Sequence, residues 1–82
     1  MSAGPDAAHT ILTITDDGGT AMVTTAGPHG FDGITPYPIV ISGNSIAEYN
    51  GSQEAGFTPT ATTFYIVTPY SFDGTGGSWR LA

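Results

Sequence analysis

The chain has 82 residues, no Cys, one Lys+Arg against seven Asp+Glu, and a formal net charge of −6. A domain this short buries only about 60% of the surface its unfolded chain exposes, so it holds one small core, and it has no disulfide, thiol nucleophile or Cys-ligated metal to add to it. Its single cation, Arg80, cannot neutralise a row of phosphates, so direct binding of nucleic acid or of an anionic membrane is not expected, and a chain without Lys cannot form a P-loop.

Residues 1–9 are small and polar without periodicity and read as an N-terminal arm ahead of one domain, residues 10–82. The first residues lack the basic and apolar stretches of a signal peptide, and no apolar run reaches the roughly 18 residues of a membrane span. The expectation is a protein made in the cytoplasm that leaves it, if at all, by assembly.

Elsewhere Thr, Gly, Pro and β-branched residues dominate, which favours strands and turns over helices. Thr10–Thr15 and Thr20–Thr25 read as strands around the turn Asp16-Asp17-Gly18-Gly19, with Ala21 and Val23 on one face and Met22 and Thr24 on the other. The Gly-rich stretch from Ala26 to Gly33 is a loop, and Tyr37–Ser42 is the next strand, with Pro38 at its start or on an edge. Ser45-Ile46-Ala47-Glu48 matches a capping box, which predicts one helical turn over residues 46–49, ended by Asn50-Gly51. Gln53–Phe57 is a weak strand and Thr62–Thr68 a good one, with Phe64 and Ile66 facing one way and Tyr65 and Val67 the other. Pro69–Gly77 reads as turns, its Gly74-Thr75-Gly76-Gly77 run as a flexible loop, and Ser78–Leu81 as a strand that closes the sheet. The fold class is all-β: a small barrel or sandwich of five or six strands.

Three patterns occur in order: Val23-Thr24-Thr25-Ala26-Gly27-Pro28-His29-Gly30-Phe31, then Ile39-Val40-Ile41-Ser42-Gly43 with Glu48-Tyr49-Asn50-Gly51-Ser52, then Ala61-Thr62-Thr63-Phe64. Together, over residues 20 to 67, they resemble a small β-barrel module of tailed-bacteriophage structural proteins, similar to the FCCH domain inserted in ubiquitin-activating enzymes. Two departures stand out. Ile34-Thr35-Pro36-Tyr37-Pro38 replaces the Gly-Asp pair usual before the Ile39–Gly43 strand, and Ser52–Pro59 replaces a plain strand, which predicts a bulge or looped insertion there. The resemblance implies a binding or scaffolding barrel without catalysis.

The residues by themselves point the same way. In Pro28-His29-Gly30 the Pro and Gly shape a corner, and His29 is expected to hydrogen-bond loop carbonyls rather than act as a base. Asn50-Gly51-Ser52 is formally a glycosylation acceptor and reads as a turn. His9 and His29 stand twenty positions apart, unlike closely spaced metal ligands, and Asp16-Asp17 lacks the alternation of a calcium loop. No metal, cofactor or catalytic residue is expected, and an enzyme is not the reading. Pro5, His9, Tyr70, Phe72 and Trp79 are the expected interface, because aromatics in a Gly-rich tail serve as binding anchors.

The resemblance and the small acidic domain together imply a virion protein on the outer capsid surface. It would decorate the capsid, bridge subunits of the major capsid protein, and extend its contact through the arm; a homo-oligomer is a further possibility. The alternatives are a tail, baseplate or fibre module, and a carbohydrate-binding barrel that presents Tyr37 or Tyr49 to host glycans.

Overall fold

The computed structural model describes residues 8–31, 37–56 and 58–82. Along them run β1 (His9–Asp17), β2 (Thr20–Thr25), β3 (Tyr37–Ser42), a 3-10 turn (Ala47–Tyr49), β4 (Gly51–Ala55), β5 (Thr63–Pro69), β6 (Gly74–Thr75) and β7 (Ser78–Leu81). The strand β1 opens at His9, inside the span read as arm; residues 1–7, including Pro5, and Phe57 lie outside the described residues.

The β1–β2 hairpin turns on Gly18 and Gly19, both at positive φ (68° and 92°), as a tight two-residue connection between twisted strands requires. Asp16 supports the turn by accepting the Gly19 N–H at 2.7 Å. Along β2 the burial alternates as expected, with Ala21, Val23 and Thr25 inside. Along β1 it does not. Ile11 and Ile14 both point into the core although residues three apart on a regular strand face opposite ways. A β-bulge between Ile11 and Thr13 absorbs the extra residue and turns Leu12 outward, half exposed.

Six antiparallel strands close into a barrel in the order β1-β2-β5-β4-β3-β7 and back to β1. The expected five or six strands are thus six, and they form a barrel rather than a sandwich. The closing contact involves a segment that the sequence presents as loop. Thr75 pairs with Thr13, and Ser78 and Trp79 pair with Thr10 and His9, so β6 and β7 lie in one register along β1. Gly76 and Gly77, at φ of 70° and 88°, interrupt the line without ending it. Across the interruption the Gly76 N–H donates to the Leu12 carbonyl at 3.1 Å, and the Ile11 N–H to the Gly77 carbonyl at 2.9 Å. Gly74-Thr75-Gly76-Gly77 is therefore part of the barrel wall.

Two further expectations change. The helical turn forms, but without a capping box: residue 46 stands at its N-cap with no side-chain bond, while the Ser45 hydroxyl accepts the Thr75 N–H at 2.9 Å and the Glu48 carboxylate accepts the Ser71 hydroxyl at 2.5 Å. Both groups find distant partners because the fold brings residues 71–75 over this turn. Over residues 51–55 a regular strand, paired with β3 at five successive positions, stands where a bulge or looped insertion over Ser52–Pro59 is expected; of the rest of that stretch, Phe57 lies outside the described residues.

Inside the wall, Ile11, Ile14, Val23, Ile39, Ile41, Tyr49, Phe64 and Trp79 fill the interior together with Ala21, Ala55 and Ile66. At Gly77 the wall packs directly against main chain. A Cβ there would stand 2.6 Å from the Ser42 carbonyl oxygen and 2.7 Å from the Asn44 nitrogen, both main-chain atoms, whereas a Cβ on Gly18 meets nothing. Gly18→Ala carries only the left-handed strain of about 1–2 kcal/mol. In Gly77→Ala overpacking of about 1–3 kcal/mol adds to that strain. Urea denaturation of both variants checks the difference; equal losses would mean that the wall is not closed at this point.

Candidate interaction surface

The candidate site residues divide into those that hold the barrel and those left on its outside. His29 holds. Its Nδ1 accepts the Phe31 N–H at 3.0 Å, so the neutral ring carries its proton on Nε2, which points at the Thr60 and Thr63 carbonyls at 2.7 and 3.0 Å. With the His29 N–H on the Ala61 carbonyl at 2.9 Å, one residue ties the loop after β2 to the turn before β5. Gly30, at φ 78°, provides the bend that lets Phe31 fold back onto the ring, with centroids 5.0 Å apart. Both ring nitrogens are committed to main-chain groups, so the imidazole is not poised as a base.

Phe31 begins a chain of rings across one mouth of the barrel. It stacks on Tyr37 at 4.5 Å and meets Phe64 and Trp79 at 5.3 and 5.1 Å, and His9 stacks on Trp79 from outside at 4.5 Å. Trp79 was expected at an interface and is instead core, 2% exposed, because β7 pairs with both β3 and β1 and alternation turns this position inward. Its Nε1 is buried with no hydrogen-bond partner among the described residues.

At the other end Tyr49 is fully buried. Its hydroxyl donates to the Phe72 carbonyl at 2.9 Å and accepts the Ser71 N–H at 3.0 Å, which anchors the loop between β5 and β6. Tyr49 therefore cannot offer a face to a sugar, and Tyr37 is packed against the core. Asn50 exchanges two bonds with the Asn44 main chain, at 2.9 and 3.1 Å, so the acceptor-like Asn50-Gly51-Ser52 has its amide engaged in a turn. Asn44, a residue with no obvious mark in the sequence, is 6% exposed and also donates to the Gly76 carbonyl at 3.0 Å. Gly51 follows at φ 102°, while Pro28 lies exposed on the His29 corner.

Of the expected interface, His9 and Phe72 are exposed, Phe72 by 67%, whereas Tyr70 is half-buried against the core. The sequence reading missed Val67, 69% exposed on β5. It borders an open groove of about 490 Å³ with Pro38, Ser52, Gln53, Glu54 and Thr68. Alternation along Thr62–Thr68 already put Val67 opposite Phe64 and Ile66, and that was the available signal. No group of three or more His, Asp or Glu that could hold a metal ion occurs among the described residues.

Compared with protein-family models, with curated proteins and with solved structures, the chain matches none. The class defined by its own coordinates is a small closed antiparallel β-barrel with a packed interior.

Two predictions follow from the side-chain bonds. His29→Leu leaves two carbonyls and one N–H without their partner, and a loss of about 1–3 kcal/mol in urea denaturation is expected, with hydrogen exchange rising first at Phe31. The second concerns Tyr65 and Tyr70, whose hydroxyls donate to Asp17 and Asp73. These hydrogen bonds, with some desolvation and the carboxylate charge, raise both phenols above the ordinary 10.0. A raised folded value favours the folded state below the ordinary value, and that contribution is lost as pH climbs through the folded one. Ultraviolet titration should show late ionisation at both tyrosines, and Asp17→Asn should return Tyr65 alone toward 10.0.

Proposed function

We propose that this chain is a non-catalytic structural protein of a tailed-phage virion, a capsid decoration protein that bridges capsid subunits. The motif order over residues 20 to 67 supplies the virion setting. The observation that carries the non-catalytic, binding role is the division of the molecule. The interior is filled by side chains, the buried polar groups Tyr49, Asn44 and Thr25 bond to the main chain, and large apolar side chains, Leu12, Val67 and Phe72, stand outside. A wall of this kind offers its outer surface to partners.

The charge favours the outer capsid face over the DNA-facing one, because −6 with one cation is repelled by packaged DNA. Bridging then works by mass action. Each copy that binds assembled subunits and not separate ones stabilises the assembled state, and many copies share the load. The major capsid protein is the partner in this reading.

Labelling purified particles with an antibody to this chain, together with its copy number by quantitative mass spectrometry, tests the assignment. Signal over the head at a copy number on the scale of the capsid lattice is expected. Signal confined to the tail, at far lower copy number, would move the chain to a tail, baseplate or fibre role. Absence from purified particles would overturn the virion reading altogether.

A further inference from the structure

The loop from Tyr70 to Asp73, between β5 and β6, is fastened along its length. The Tyr70 N–H donates to the Gly19 carbonyl at 3.2 Å, and the Ser71 N–H donates to the buried Tyr49 hydroxyl at 3.0 Å. That hydroxyl in turn donates to the Phe72 carbonyl at 2.9 Å, so one core side chain clamps two successive residues. Side chains add two bonds, from the Ser71 hydroxyl to the Glu48 carboxylate at 2.5 Å and from the Tyr70 hydroxyl to the Asp73 carboxylate at 2.9 Å. Beyond Asp73 the chain enters the β6 ladder, with Gly74 paired to Ile14.

The Phe72 ring is the exception. Tyr70 takes the place against the core, and Phe72 stands 67% exposed. A single exposed apolar side chain is ordinary on a small protein. One carried on a loop whose neighbours and own carbonyl are fixed is different, because a partner that buries the ring has little loop ordering left to offset.

Carboxylates surround the loop. Glu48 and Asp73 hold it directly, and Asp16 supports the hairpin turn whose Gly19 carbonyl receives the Tyr70 N–H. All three are exposed, and each accepts its bond from a neutral donor, so the rim keeps its charge. We propose that the Phe72 loop is a docking anchor that inserts its ring into an apolar pocket rimmed by Lys or Arg on a partner protein. The ring supplies the buried contact, and the acidic rim steers and selects. Two copies that met symmetrically through this end would bring two acidic rims together, which disfavours that contact. A head-to-tail contact between copies is an outcome of the test.

This anchor deepens the proposed assembly role and rests on it only for which protein carries the pocket. Ring and rim are tested on the full chain with two β-cyclodextrins, hosts whose cavity takes a phenyl ring, one bearing ammonium groups and one bearing sulfonates. At millimolar concentration the ammonium host should shift the Phe72 ring resonances and bind roughly three- to tenfold tighter than the sulfonate host, the difference shrinking as salt is raised. Phe72→Ala should abolish the shift with amide dispersion unchanged, since the loop is fastened through the Phe72 carbonyl and not its ring. Asp73→Asn with Glu48→Gln keeps an acceptor oxygen for each hydroxyl and should bring the two hosts nearly level. Equal binding of both hosts to the unaltered chain, or binding of neither, overturns the proposal. The pocket is tested with a photoreactive benzophenone in place of the Phe72 ring, irradiated in the cells that make the chain natively. Cross-links to a different protein, at a site flanked by Lys or Arg, are expected. Cross-links only to a second copy, to a site without such residues or to nothing overturn the proposal. Particle labelling can fail with these results intact, and they can fail with the labelling intact, so the two readings are separable.

Discussion

A barrel of 82 residues without a disulfide depends on its last strand finding its first, and here β1 is held along both edges to make that happen. One edge pairs with β2 and the other with the line of β6 and β7. The second pairing tolerates an interruption because Gly76 and Gly77 take up positive φ while still bonding across to Leu12 and Ile11. The close approach of the Ser42–Asn44 main chain to Gly77 and the Asn44 bond to Gly76 lock the same point from the β3 side. Removing the edges of a sheet in this way also removes templates for aggregation.

Closure at β1 has a counterpart across the barrel. Among the described residues the seam between β4 and β5 has one bridged pair, with a Gln53–Thr68 side-chain bond beyond it. The barrel therefore has one seam held by a ladder interrupted only at Gly76 and Gly77 and one held by a single bridge and a side-chain bond. Local opening is least costly where few main-chain bonds must break.

The distribution of polar groups fits this division. His29, Asn50 and Tyr49 would each draw attention as possible chemistry, and each, like the unremarked Asn44, is spent on main-chain groups that fix a loop. The charged side chains among the described residues remain outside, on turns and outward strand positions such as Asp16, Asp17 and Glu54. A surface of one predominant sign selects among partners before any contact forms, since it repels anions and other copies alike. Two carboxylates, Asp17 and Asp73, restrain the hydroxyls of Tyr65 and Tyr70.

The sequence by itself determined the strands whose inward and outward residues alternate, the hairpin at Gly18-Gly19, and the all-β class, because these depend on neighbours a few positions apart. Pairing of Phe64 with Ile66 and of Ala21 with Val23 on one face was legible for that reason, as was the His29 corner. Tertiary structure decided what depends on distant partners. It made Gly74-Thr75 a strand because Thr13 and Ile14 offer it a ladder, and it drew Ser45 and Glu48 away from a local cap toward Thr75 and Ser71. It also placed Trp79 in the core rather than at an interface, by pairing β7 on both sides. The groove bordered by Pro38, Glu54 and Val67 was equally invisible in the sequence, since these residues become neighbours only when the barrel closes.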